Sequence, residues 1–244
     1  MKPRLYALGA ALAFAAACTA AAADDPNLLT DLGGTLGAPP APWRFVGLPK
    51  QTKPATQFRV VAHDGERVLE IKADLSYGNL VHDLPGAGSN ARSLSWRWRI
   101  EQGNPAGDPH TRSGDDHVLA VCAFFDLPLS AVPFVDRQIL RAARAVNGSD
   151  LPSATLCYTW DERQEKGAVL DSPFTHRVRY MVLRGSGEAL QQWRQEQRDL
   201  HADFLRLFGG EASAVPPLLA IAVSGDADNT RGHSLALLSD LVLR

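Results

Sequence analysis

The sequence has no basic surplus. Its 25 Lys and Arg stand against 27 Asp and Glu, for a formal net charge of −2, and no basic stripe runs through it. Nucleic acid is therefore not an expected partner. There is no His-Glu-x-x-His, no Cys-x-x-Cys and no Gly-rich phosphate loop, and the seven His are scattered, so nothing supports zinc, nucleotide or redox chemistry. A nucleophile elbow is missing too, since Gly185-Ser186-Gly187 lacks the Gly-x-Ser-x-Gly frame. The chain holds no internal repeat, no low-complexity tract beyond its first residues and no linker that would divide it. Helical signal is confined to two stretches, too few for a parallel α/β fold, which needs a helix between most strands.

What is present is ordinary globular material: 244 residues, 45% hydrophobic and 21% charged, ample for a core. Residues 1–23 stand apart. Lys2 and Arg4 precede an apolar run from Leu5 to Ala17, and Ala20 to Ala23 offer small-residue cleavage sites. This is a secretory signal pattern, too short in its apolar part to span a membrane. Cys18 raises a lipid-anchor reading, but the preceding Ala15-Ala16-Ala17 lacks the Leu or Val usual three residues before such a cysteine. Plain export, to the periplasm or beyond, is the expectation. Export bears on Cys122 and Cys157, both inside apolar strand-like runs. In an oxidising compartment they either form a disulfide or sit as two small core residues.

Residues 24–42 are Gly, Pro and Ala rich and read as an extended lead-in to a single domain over 43–244. Two runs, Gln57 to His63 and Val68 to Ala73, flank Asp64-Gly65, a strong hairpin signal. Tyr77 to Leu84 follows. In Ser93 to Ile100 the period of two sets Leu94, Trp96, Trp98 and Ile100 on one face and Ser95, Arg97 and Arg99 on the other. Further strands are expected around Cys122, Cys157 and Arg177–Leu183, and on both sides of Gly225–Thr230. Helices are expected over 135–146, with Ile139, Leu140, Ala143 and Val146 apolar, and over 187–208, with Leu190, Trp193, Leu200, Phe204 and Phe208 on one face. Eight or more short strands punctuated by Gly, Pro, Asn and Asp predict a mainly β protein, a β-sandwich with two helical insertions.

Several pieces recur in a recognisable order: Leu94-Ser95-Trp96-Arg97-Trp98-Arg99-Ile100, Gly114-Asp115-Asp116, Phe124-Phe125-Asp126, Tyr158-Thr159-Trp160, Arg198-Asp199 with Asp203-Phe204, Phe208-Gly209 and Asp226 to Thr230. From about Trp43 onward they resemble a family of exported bacterial domains of unknown function. The resemblance implies a jelly-roll, galactose-binding-like sandwich and supplies no activity. Cys122, Cys157 and the 135–146 insertion depart from its pattern.

Three sets of residues could carry function. Arg97 and Arg99 share a strand face and offer guanidinium forks to carboxylates or sugar hydroxyls, or form a salt-bridge layer with Asp199 and Asp203. Asp115 and Asp116 could join them as ligand-binding groups, act as an acid/base pair or serve as ligands with Asp226 and Asp228, or one could pair with Arg97 or Arg99 while the other meets water. If both lie on a strand, only one faces a given cleft. Trp96, Trp98 and Trp160 could stack on sugar rings or fill the core, and Trp160 is the candidate ligand contact. Asp226, Asp228, Asn229 and Thr230 place oxygen atoms at near-alternate positions, as a calcium loop begins, although Arg231 and Leu237 break the EF-hand pattern; otherwise they make an Asx-type turn. No other cofactor is expected. The expected function is a non-catalytic periplasmic module binding a carbohydrate or similar polar envelope ligand. The alternatives are a glycan hydrolase using two of Asp115, Asp116, Asp199 and Asp203, or a structural domain of the envelope.

Overall fold

The structure, a computed structural model, describes residues 26–84, 91–147 and 151–244. The signal-peptide and Cys18 readings fall outside the described residues. In chain order the elements are β1 (Arg44–Val46), β2 (Gln57–His63), β3 (Glu66–Asp74), β4 (Tyr77–Asp83), β5 (Ser93–Gln102), β6 (Leu119–Phe125), α1 (Phe134–Asn147), β7 (Ala154–Trp160), β8 (Val169–Ser172), β9 (Thr175–Arg184), β10 (Arg194–Asp199), α2 (Leu200–Phe208), β11 (Leu218–Asp226) and β12 (His233–Leu243). They build a jelly-roll β-sandwich. One sheet runs β1-β4-β11-β6-β7-β9-β8 and the other β10-β5-β12-β3-β2. Among these pairings only β7 with β9 is parallel.

The alternation in β5 explains the core. Leu94, Trp96, Trp98 and Ile100 are all buried against the inner face of the larger sheet, where Trp98 meets Trp160 edge-on at 5.8 Å and Trp96 lies 5.3 Å from Tyr158. Fully burying one such aromatic stabilises by roughly 2–3 kcal/mol. The β2–β3 hairpin turns at Asp64 and Gly65, both with positive φ, the left-handed pair that a two-residue turn of matching twist requires. Leu29 and Leu32 of the lead-in segment also enter the core, and Asn27 and Leu28 hydrogen-bond to Leu241 and Leu243 of β12.

Cys122 and Cys157 are direct partners in the β6–β7 ladder and form a disulfide. α1 spans the expected stretch, but among its described side chains only Leu140 is buried, while Ile139 and Val146 face solvent. The expected 187–208 helix is a correction. Its first part is a loop turned by Gly187 at φ 83°, then edge strand β10, and only Leu200–Phe208 is helical. Arg194, Glu196 and Arg198 are good helix formers by propensity, but pairing with Trp98, Trp96 and Leu94 of β5 overrides that preference. Each inward charge has a partner: Arg194 with Glu188, Glu196 with Arg184 and the Trp98 indole, and Arg198 with Asp203. Asp199 then caps α2, its Oδ1 accepting from His201 N and Ala202 N, each at 3.0 Å.

Candidate functional site

β11 ends at Asp226 in the larger sheet and β12 begins at His233 in the smaller, so the Gly225–Thr230 stretch crosses from one sheet to the other. Gly225 is required by space: a Cβ there would lie 2.6 Å from Ile71 Cγ2. Asp115, Asp116 and His117 precede β6 in irregular backbone. Strand alternation therefore does not separate the two carboxylates, and both are buried beside the crossing.

Asp116 staples the turn. Its Oδ1 accepts from Asn229 N at 3.0 Å, and its Oδ2 from Thr230 N at 2.8 Å and Thr230 Oγ1 at 2.5 Å. The Asn229 amide donates to the Asp115 carbonyl at 3.1 Å, and Thr230 Oγ1 accepts from Asn104 Nδ2 at 3.0 Å. Asp226 Oδ1 accepts from His117 N at 2.5 Å, while Asp226 N donates back to the His117 carbonyl at 3.0 Å. Asp115 takes a hydrogen bond from Ser172 Oγ at 3.1 Å and holds His117 Nε2 3.3 Å from its other oxygen. Lys53 Nζ lies 3.6 Å from Asp228 Oδ2.

Carboxylate oxygens of Asp116, Asp226 and Asp228 converge within 4.8 Å of one another, and all three residues are buried. Burial pushes the Asp226 carboxyl up to about 8; the charge and N–H of His117 offset this in part, and the Asp116 and Asp115 charges add to it. Asp228 is raised by burial and by Asp116, against Lys53. Burial alone would lower the His117 imidazole, but Asp115 and Asp226 outweigh it and raise it. Among the described residues, Asp228 Oδ1 is buried without a hydrogen-bond partner. An all-oxygen donor set with an orphaned buried oxygen suits a hard divalent cation. Of the residues named from sequence, Asp226 and Asp228 lie in this cluster together with Asp116. The Asn229 amide nitrogen is held by the Asp115 carbonyl, and Thr230 Oγ1 is shared between Asp116 and Asn104.

Arg97 and Arg99 lie elsewhere, on the outer face of β5. Arg97 pairs with Glu66 at 2.7 Å and with Asp240, and stacks on Trp193 at 5.1 Å. Arg99 pairs with Glu101 and approaches Asp64. Neither contacts Asp115 or Asp116, which correct the expected carboxylate–arginine pairing by binding the turn. Asp199 and Asp203 correct it as well: Asp199 meets Arg92 and caps α2, while Asp203 is gripped by Arg198 at 2.6 and 2.8 Å and by Tyr158 OH at 2.8 Å. Trp160 is 1% exposed and belongs to the core, not to a ligand surface.

Beside Arg97 runs an open groove of about 430 Å³, bordered by Glu66, Arg67, Arg97 and Asp240 over Leu69 and Leu241. Sequence reasoning missed it. It depends on an irregularity in β12 between Ser239 and Val242 and on the lead-in segment lying alongside.

The profile of the family described as "Protein of unknown function (DUF3047)" matches residues 41–242. The chain belongs to the DUF3047 family. No curated protein matches this DUF3047 chain. Solved structures similar to it include a family 11 carbohydrate-binding module from Clostridium thermocellum in complex with a β-1,3-1,4-mixed-linked tetrasaccharide (10% identity, 88% of this chain and 92% of that one, TM-score 0.41). Another is the xyloglucanase domain of NopAA, a type three effector from Sinorhizobium fredii, in complex with cellobiose (10% identity, 83% and 92% covered, TM-score 0.43). A third is the agarase AgWH50C (12% identity, 90% and 26% covered, TM-score 0.34).

Proposed function

We propose that this DUF3047 protein is a non-catalytic module of the periplasm that binds a carbohydrate or similar polar envelope ligand in the groove beside Arg97. The observation that carries the reading is Arg97 itself, held between Glu66 and Asp240 at the groove wall with Trp193 against its guanidinium. Guanidinium–carboxylate forks present donors and acceptors in fixed geometry to neighbouring hydroxyls. The groove's volume falls in the range of small-ligand sites. The N-terminal pattern and the Cys122–Cys157 disulfide support an oxidising compartment. Titration calorimetry against a panel of envelope glycans tests the reading: the folded protein binds at least one, and Arg97→Ala weakens that binding about tenfold or more. A folded protein that binds none refutes it.

A second reading rests on the orphaned Asp228 Oδ1. We propose that Asp116, Asp226 and Asp228 hold a calcium-like cation that tightens the crossing between the sheets. Calcium then raises the melting temperature of the wild type and not of Asp228→Ala. If calcium moves neither, the cluster is a turn and nothing more.

A further inference from the structure

α1 is built inside out. A helix on a globular surface normally turns its apolar stripe to the core and its charges to water. Here three of the four charged residues face the protein: Asp136 meets Arg177 at 3.3 Å, Arg137 donates to the Leu129 carbonyl and Arg144 to the Leu151 carbonyl. Among the described side chains of α1, Leu140 alone is buried. On the outer side Val135, Ile139, Ala142 and Val146 follow helical spacing and form one stripe. Phe134, Val135, Ile139 and Val146 are 67, 67, 60 and 76% exposed. The exposed face carries one charge, Arg141, and no carboxylate. A second exposed aromatic, Phe174, stands two residues before His176, whose Nδ1 is 3.8 Å from Asp136, and Arg112 lies over its ring at 5.5 Å.

We propose that α1 docks this protein on an anionic lipid surface, its apolar stripe lying in the interface and Arg141 meeting the headgroups. Low overall hydrophobicity and a segregated apolar face are what an interfacial helix requires, and Arg141 is the exposed cation of α1 that can meet anionic headgroups. A second copy of the chain fits less well. A two-fold pairing sets a face whose one charge is Arg141 against itself, with no exposed α1 carboxylate to meet it. A helix about 21 Å long presents far less than the roughly 800 Å² per partner of a stable dimer. No helix among the described residues is long and apolar enough to cross a membrane, so the contact is peripheral.

Flotation with vesicles of phosphatidylcholine, with and without phosphatidylglycerol, tests the proposal. The protein floats with the phosphatidylglycerol vesicles and releases as salt is raised. Val135→Asp/Ile139→Asp weakens flotation about tenfold or more, and Arg141→Glu weakens it on anionic vesicles only. These positions are exposed, so circular dichroism and melting temperature stay at wild-type values. No flotation of the folded protein, or flotation that all variants retain, overturns the proposal. So does a dimer in light scattering that Ile139→Asp converts to monomer.

Discussion

Replacing Asp226 with Asn should make the protein more stable at alkaline pH, although it removes a charge from a hydrogen-bonded site. In the folded chain the Asp226 carboxyl is held near 8, whereas an unfolded one titrates near 3.8. Because the folded value is the higher, the folded state binds the extra proton between these limits, and stability falls as pH rises through them. At 1.36 kcal/mol per pH unit the loss accumulated just above pH 8 is on the order of 5 kcal/mol. His117 is also raised, so its contribution is present below its unfolded value and fades in the same direction. Asn keeps an oxygen for the His117 N–H and carries no charge. Urea denaturation in EDTA at pH 5, 7 and 8.5 is the assay. Wild type and Asp226→Asn should agree within about 1 kcal/mol at pH 5, with the variant ahead by several kcal/mol at pH 8.5. A variant equal to or weaker than wild type at pH 8.5 would refute the reasoning.

Reduction of the Cys122–Cys157 bridge, or Cys122→Ala/Cys157→Ala, closes no loop across the 35-residue separation and should lower unfolding free energy by roughly 3–4 kcal/mol, read from urea midpoints. Asp203→Ala strands Arg198 and the Tyr158 hydroxyl and should cost about 3–5 kcal/mol, while Tyr158→Phe costs about 1–3 kcal/mol, both by thermal denaturation. Trp160→Ala should cost about 3–5 kcal/mol as a core truncation; a ligand-binding loss at unchanged stability would show that Trp160 is a surface contact after all.

Local features were legible in the sequence and long-range ones were not. Asp64-Gly65 announced its hairpin, and the β5 alternation put Trp96 and Trp98 on one face with Leu94 and Ile100, because turn chemistry and strand period act over a few residues; that this face is the buried one came from the structure. The Cys122–Cys157 pair was open until β6 and β7 were seen in register. The 187–208 helix failed because Arg194, Glu196 and Arg198 pair in register with Trp98, Trp96 and Leu94 of β5, a strand far away in sequence. The carboxylate cluster was half legible: Asp226 and Asp228 stand in one short motif, but Asp116 joins Thr230 from 114 residues away. The arginine face was named correctly as a face and wrongly as a neighbour of Asp115 and Asp116. The groove left no sequence signal, since a strand irregularity and a crossing segment make it.

β12 has a consequence for the order of assembly. It lies between β3 and β5, and every strand of the smaller sheet precedes it in the chain. Until it arrives, β10-β5 and β3-β2 are two separate ribbons with unpaired edges. Its ladders join residues such as Leu238 and Leu69, far apart in sequence, and such non-local closure makes folding slow. The half-built sheet is thus a species that invites pairing with other chains. A chain emerging from its N-terminus stays incomplete until residues 233–243 have followed.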